Sequence, residues 1–206
     1  MTTNPWNNFI SQEELTETQL QELSLKSFPT AIMSAAVGTF KSSDQISNDR
    51  NEKMKMVSGS ALTADDIENY SSFIIKTFYN VHMGHYPPSE IDVFKSQLPL
   101  FFSLPFHFIR HELDGNIVAY LAVCMLENHP FYKENTWHIG YWGISSDLRD
   151  RALRESIKNS WGTLLKSLNS RHRIAGNIDY FNKPAFKMAS GFGMKVHGYR
   201  FDPRGE

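Results

Sequence analysis

The sequence predicts a mixed α/β fold: a sheet flanked by helices, in the order β-α-α-β-β-β-α-β-α-β, behind an N-terminal extension. Three observations predict it. The stretch from Trp137 to Pro203 alternates β-type runs with helical patterns. Ahead of it, the Asp114-Gly115 pair separates two apolar β runs, which is a strong hairpin signal. Further upstream, Ile67, Tyr70, Phe73, Ile74, Phe78 and Val81 recur at helical spacing.

Residues 1–50 read as an extension and linker, and residues 51–206 as the domain. Ser11-Gln-Glu-Glu14 is a capping-box pattern. A short amphipathic helix should follow it, with Leu15, Leu20, Leu23 and Phe28 inward, until Pro29 stops it. Residues 31–40 are small and apolar, and residues 41–52 read as a linker. This extension either folds back on the domain or docks a partner protein through Trp6, Phe9 and the leucine face.

The domain opens with a short strand over Met54–Val57. Thr63-Ala-Asp-Asp66 is a helix start, a capping threonine with two acids in the first turn. Gly84 and Pro87-Pro88 end that helix. Ser89 begins a second, with Ile91, Phe94 and Leu98 on one face, which ends at Pro99. Phe106–Leu113 and Ile117–Leu126 are the hairpin strands. Trp137–Ser145 is a strand with two glycines inside it. A long helix should run from Ser146 to Leu168, then a strand over Arg173–Tyr180. A short helix from Asn182, closed by Gly191-Phe192-Gly193, and a last strand from Lys195 complete the order.

A chain of 206 residues with 41% hydrophobic content suits one ordinary core. The net charge of −1 gives no argument for nucleic acid or an anionic membrane. The longest apolar runs fall short of the roughly 20 residues that span a bilayer. The N-terminus lacks a secretory pattern. Cys124 is the only cysteine, so a disulfide framework is excluded and a buried thiol is expected. A cytoplasmic protein is the expectation. His107 and His111 share a strand face but stand about 13 Å apart, too far for one metal. His82 and His85 have no carboxylate or cysteine close by in sequence, so no metal is expected.

Asn182, Ala185, Gly191 and Phe192 form an Asn-x-x-Ala … Gly-Phe pattern. With the order of elements, this resembles the Gcn5-related N-acetyltransferase family. The resemblance covers residues 51–206 by element order and is specific from Trp137 onward. It implies an acyl-CoA N-acyltransferase-like fold, with acetyl-CoA as co-substrate and a small-molecule or protein amine as acceptor. It implies that the strand pair Trp137–Ser145 and Arg173–Tyr180 splays apart to admit the donor. The pantetheine arm would then lie along Trp142, Gly143, Ile144 and Ser145, with Asn182 beside it. Gly140 and Gly143 suit either a ligand's approach or the rings of Tyr141 and Trp142.

The family's pyrophosphate loop reads Arg/Gln-x-x-Gly-x-Gly/Ala. Here the place holds Arg149-Asp150-Arg151-Ala152-Leu153-Arg154. Either Arg149, Arg151 and Arg154 replace the lost backbone contacts to phosphate, or they are a solvated face paired with neighbouring acids. The family's usual tyrosine acid falls at Ala189, with Tyr180 and Tyr199 the nearest substitutes in sequence. The candidate catalytic residues are His138, Tyr141, Asp179 and Tyr180, with Glu127 as a further base. Asp150-x-x-Leu153-Arg154 also resembles acetyltransferase-like proteins of tailed bacteriophages. That resemblance implies a catalytically degenerate virion or host-interaction protein that docks through its extension.

Overall fold

In a computed structural model, described for residues 8–42, 54–82, 96 and 104–203, the chain builds one eight-stranded sheet with helices on both faces. The strands are β1 (Phe9–Ser11), β2 (Ser27–Ala35), β3 (Met54–Gly59), β4 (Phe106–Leu113), β5 (Asn116–Leu126), β6 (Thr136–Ile144), β7 (Arg173–Asp179) and β8 (Lys195–Pro203). The helices are α1 (Glu17–Lys26), α2 (Ala64–His82), α3 (Arg151–Asn169) and α4 (Lys183–Gly191). The sheet order is β1-β8-β2-β7-β6-β5-β4-β3. This is the mixed acyltransferase-like sheet that the order of elements implied. The expected helix over residues 89–99 lies outside the described residues, apart from Ser96, as do Trp6 and His85.

The largest departure concerns the extension. Ser27–Ala35 is a central strand, antiparallel to β7 on one side and β8 on the other. The described part of residues 1–50 therefore shares the sheet and core of the rest. Pro29 does not end a helix. α1 already stops at Lys26, and Pro29 sits in β2, where its carbonyl accepts from the Tyr180 amide at 2.9 Å. Phe9 is half-buried, its ring packed on Phe131 at 4.6 Å. The capping box at Ser11 and Glu14 is real, but it heads a single 3-10 turn. A second box, Thr16 with Gln19, starts α1.

Two apolar clusters sandwich the sheet. Along β5, Ala119, Leu121 and Val123 face Ile157, Trp161 and Leu165 of α3. Tyr120, Ala122 and Cys124 face Tyr70 and Ile74 of α2. The alternation is the period-2 pattern of a strand covered on both faces. The hairpin between β4 and β5 turns at Asp114 and Gly115, both at positive φ (50° and 79°), as a two-residue primed turn requires. No helix among the described residues is long and apolar enough to cross a membrane.

Candidate functional site

Among the described strands, β6 and β7 are the only parallel neighbours, joined by the α3 crossover. Their pairing runs from Thr136↔Arg173 to Ile139↔Gly176 and then stops. Gly140 explains much of this. Opposite β5, Ala122 pairs with Tyr141 and Val123 with Ile139, so Gly140 is an extra residue, a β-bulge. The bulge breaks the alternation: Ile139 joins the core on the α3 face, and Tyr141 joins the cluster on the α2 face. Beyond it, Gly140–Gly143 and Asn177–Asp179 line a cavity of about 150 Å³. Phe73, Ile74 and Thr77 of α2 wall it on one side, and Tyr120 of β5 also lines it.

The slot leads into a larger cleft of about 650 Å³ between α3 and α4. Thr77, Trp142, Gly143, Asn182 and Ala185 border both cavities. Arg154 and Lys158 of α3, Lys187 of α4 and Lys41 line the cleft, with Glu155 the one acid among the described lining residues. Asn182 caps α4, accepting from the Ala185 amide at 3.2 Å, while still facing both spaces. At Gly143, an added Cβ would lie 2.8 Å from Thr77 Cγ2. That glycine therefore makes room for α2 and leaves its backbone, not a side chain, beside the slot.

The start of α3 departs from expectation. The helix begins at Arg151 and not at Ser146, because Asp150 is its cap. The Asp150 carboxylate accepts from the amides of Ala152 (2.8 Å) and Leu153 (3.1 Å). Those are the amides that would otherwise attract an anion. Ser146–Asp150 is instead a loop, turned by the Leu148 amide on the Ser145 carbonyl at 3.2 Å. Arg154 donates to the carbonyls of Ser145 (3.3 Å) and Leu148 (2.9 Å) and so fixes that loop. Arg149 and Arg151 are exposed and line neither cavity. Ser145 lines neither either; its amide donates to the Val118 carbonyl at 2.8 Å.

The structure brings Tyr141 and Asp179 together at the slot and leaves the other two catalytic candidates outside it. Asp179 accepts from the Thr30 hydroxyl at 3.2 Å. Burial pushes the Tyr141 phenol up to about 12, so it stays protonated at neutral pH. Tyr180 points away: its hydroxyl donates to Glu17 at 3.2 Å, and Lys183 sits 3.7 Å over its ring. Tyr199 is a buried neighbour of Tyr180 in β8. Glu127 lies exposed past the end of β5, at the pole opposite the slot. His138 sits in the zipped half of β6, opposite Ala175, with a shielded Nδ1 that has no partner among the described residues. Sequence reasoning missed Thr77, Phe73, Tyr120 and the lysines, because no local pattern shows which distant elements border one gap.

His138 has a stability role. Burial pushes it down from the ordinary 6.5 to about 4, and it does the same to His111 and His129. The unfolded chain therefore binds these protons more readily than the folded one. Stability from this source is complete above about pH 6.5 and falls as the pH drops from there toward 4. Urea unfolding at pH 7 and pH 5 reads it directly. A much lower midpoint at pH 5 is expected, and equal midpoints would contradict the burial of these rings.

A scan against protein-family models gave no match, and neither did a search of the curated protein sequences. Solved structures do match. A functionally unknown conserved protein from Staphylococcus epidermidis superposes with a TM-score of 0.57 at 11% identity, covering 94% of this chain and 69% of that one. PaiA N-acetyltransferase from Thermoplasma acidophilum, solved in complex with coenzyme A, gives 0.51 at 11% identity, over 73% of this chain and 99% of that one. A GCN5-related N-acetyltransferase from Sphaerobacter thermophilus gives 0.54 at 11% identity, over 94% and 56%. This chain thus spans little more than half of the Sphaerobacter protein. At such identity the likeness is one of fold. The fold is that of the Gcn5-related N-acetyltransferases.

Proposed function

We propose that this chain is an N-acetyltransferase that moves an acetyl group from acetyl-CoA to an amine. The observation that carries the reading is the slot: β6 and β7 part after Ile139 and Gly176, and the gap opens into a cation-lined cleft. From Gly140 onward, the β7-facing edge of β6 has no strand partner among the described residues. An amide-rich pantetheine arm can pair with such an edge as an added strand would. Its thioester end would then lie between Tyr141 and Asp179.

Transfer needs three things from the protein. The acceptor amine must lose a proton, and Asp179 is the base at the slot. The leaving thiolate must gain one, and the Tyr141 hydroxyl, held protonated by burial, can give it. The two must face the same carbonyl carbon, which the bulge at Gly140 allows by turning Tyr141 toward α2. A buried lone thiol at Cys124 and a metabolic co-substrate suit a cytoplasmic setting.

The test is thiol release from acetyl-CoA, followed with a thiol reagent against a panel of small amines and amine-bearing peptides. Asp179→Asn should lower turnover by roughly 10²- to 10⁴-fold. Release that does not depend on any amine, or full activity in Asp179→Asn, would sink the assignment. A second reading, a fold that holds the donor without turnover, is favoured by one observation: Asp150 occupies the helix amides where an anion would bind. The bacteriophage version of that reading rests on the sequence likeness alone.

A further inference from the structure

We infer that this protein grips the donor's phosphates with lysines from three separate elements, Lys41, Lys158 and Lys187, and not at the start of α3. The inference rests on the transferase reading above and adds the seat of the anionic half of the ligand. Three observations lead to it.

The first is the blockade at α3. The Asp150 carboxylate already satisfies the Ala152 and Leu153 amides, so a phosphate there would meet a carboxylate. Arg154 is committed to two loop carbonyls, and Arg149 and Arg151 stand outside both cavities. The second is the charge of the cleft. Among the described residues its lining carries four cations against Glu155, in a space of about 650 Å³ that continues from the slot. Neither Lys41 nor Lys187 has an acidic partner among the described residues. Lys158 is bound to Glu155 at 2.8 Å, so it is shared.

The third is how Lys41 reaches the cleft at all. Phe40 stacks on Phe192 at 5.1 Å, and the Lys41 amide donates to the Phe192 carbonyl at 2.9 Å. Two glycines make the approach possible. A Cβ on Gly162 of α3 would lie 3.1 Å from Ser42 Cβ, and one on Gly193 would lie 3.4 Å from Lys41 Cγ. Gly193 also holds φ at 84°, a conformation that side chains disfavour. The segment after β2 is thus laid across α3 and the end of α4, and it brings Lys41 into the lining of the cleft. Core packing accounts for Phe40. It does not account for the gathering of cations around one concave surface, an arrangement that attracts anions.

The experiment is calorimetric titration of the full chain with acetyl-CoA, acetyl-dephospho-CoA and S-acetylpantetheine. The variants are Lys41→Ala/Lys187→Ala and, as a control, Arg149→Ala/Arg151→Ala. The lysine pair should weaken acetyl-CoA binding by roughly 10- to 100-fold and flatten its dependence on salt. It should leave acetylpantetheine, which has no phosphate, unchanged. Persistence of the effect with the dephospho compound assigns the lysines to the pyrophosphate, and its loss assigns them to the ribose phosphate. Both outcomes support the proposal. The reverse pattern, with the arginine pair weakening acetyl-CoA and the lysine pair silent, overturns it while the transferase reading stands. No binding of acetyl-CoA or acetylpantetheine by the wild-type chain would remove the transferase reading itself, and the proposal with it.

Discussion

A chain that begins at residue 43 will not fold cooperatively. Deleting residues 1–42 removes β2 from between β7 and β8, and so strips hydrogen-bonding partners from both. It also removes the buried side chains of Leu20, Ala31, Ile32, Met33, Ala35 and Phe40 from the core. Each large apolar side chain buried is worth about 1.5–3 kcal/mol. Their sum rivals the 5–15 kcal/mol of net stability typical of a domain. Ile174, Ile178, Tyr199 and Phe201 would be left beside a gap. Urea titration followed by circular dichroism checks this. The full chain should give a sigmoidal transition, and the truncated one a flat trace or a precipitate. A truncated chain that melts cooperatively near the temperature of the full one would show that residues 8–42 are an appendage after all.

Gly143→Val should abolish most donor binding. A Cβ alone would sit 2.8 Å from Thr77 Cγ2, and valine adds two carbons beyond it. Either α2 or β6 must move, and Thr77 and Gly143 border both the slot and the cleft. Overpacking of this kind costs about 1–3 kcal/mol of stability. The protein should stay folded, and the displaced wall of the slot should lower the affinity for acetyl-CoA by at least about tenfold, a loss of about 1.4 kcal/mol in binding. Calorimetry on the purified variant decides the matter. Undiminished affinity would mean that the donor does not pass this point.

The slot is expected from the family resemblance; the sequence itself shows only its local mark, two glycines in one β run, which leaves a ligand's approach and room for the rings of Tyr141 and Trp142 both open. β2 was not legible, for a physical reason. A central strand covered on both faces shows no alternation, and Ala31-Ile-Met-Ser-Ala-Ala reads only as small and apolar. Pro29 looked like a helix stop, although near a strand's start a proline loses little. The start of α3 was misplaced because Ser146 and Asp150 are both good caps; the Arg154 bonds to the loop carbonyls accompany the second choice. His138 and Tyr141 stand three apart on one strand. Only the point where the pairing with β7 ends separates a structural histidine from a tyrosine at the slot. The lysine cleft joins residues 41, 158 and 187, a distance in sequence that no motif spans.

Acetyl transfer by this chain requires that the gap between β6 and β7 accept a thioester carrier. The melting temperature of the full chain with and without millimolar acetyl-CoA tests it most directly. At a ligand concentration about 100-fold above Kd, binding adds about 2.7 kcal/mol. For a chain of this size, that raises the melting temperature by about 5–10 °C. A rise of that order, matched by acetylpantetheine at higher concentration, is the predicted result. An unchanged melting temperature at millimolar acetyl-CoA would contradict it and leave the sheet a scaffold without a donor site.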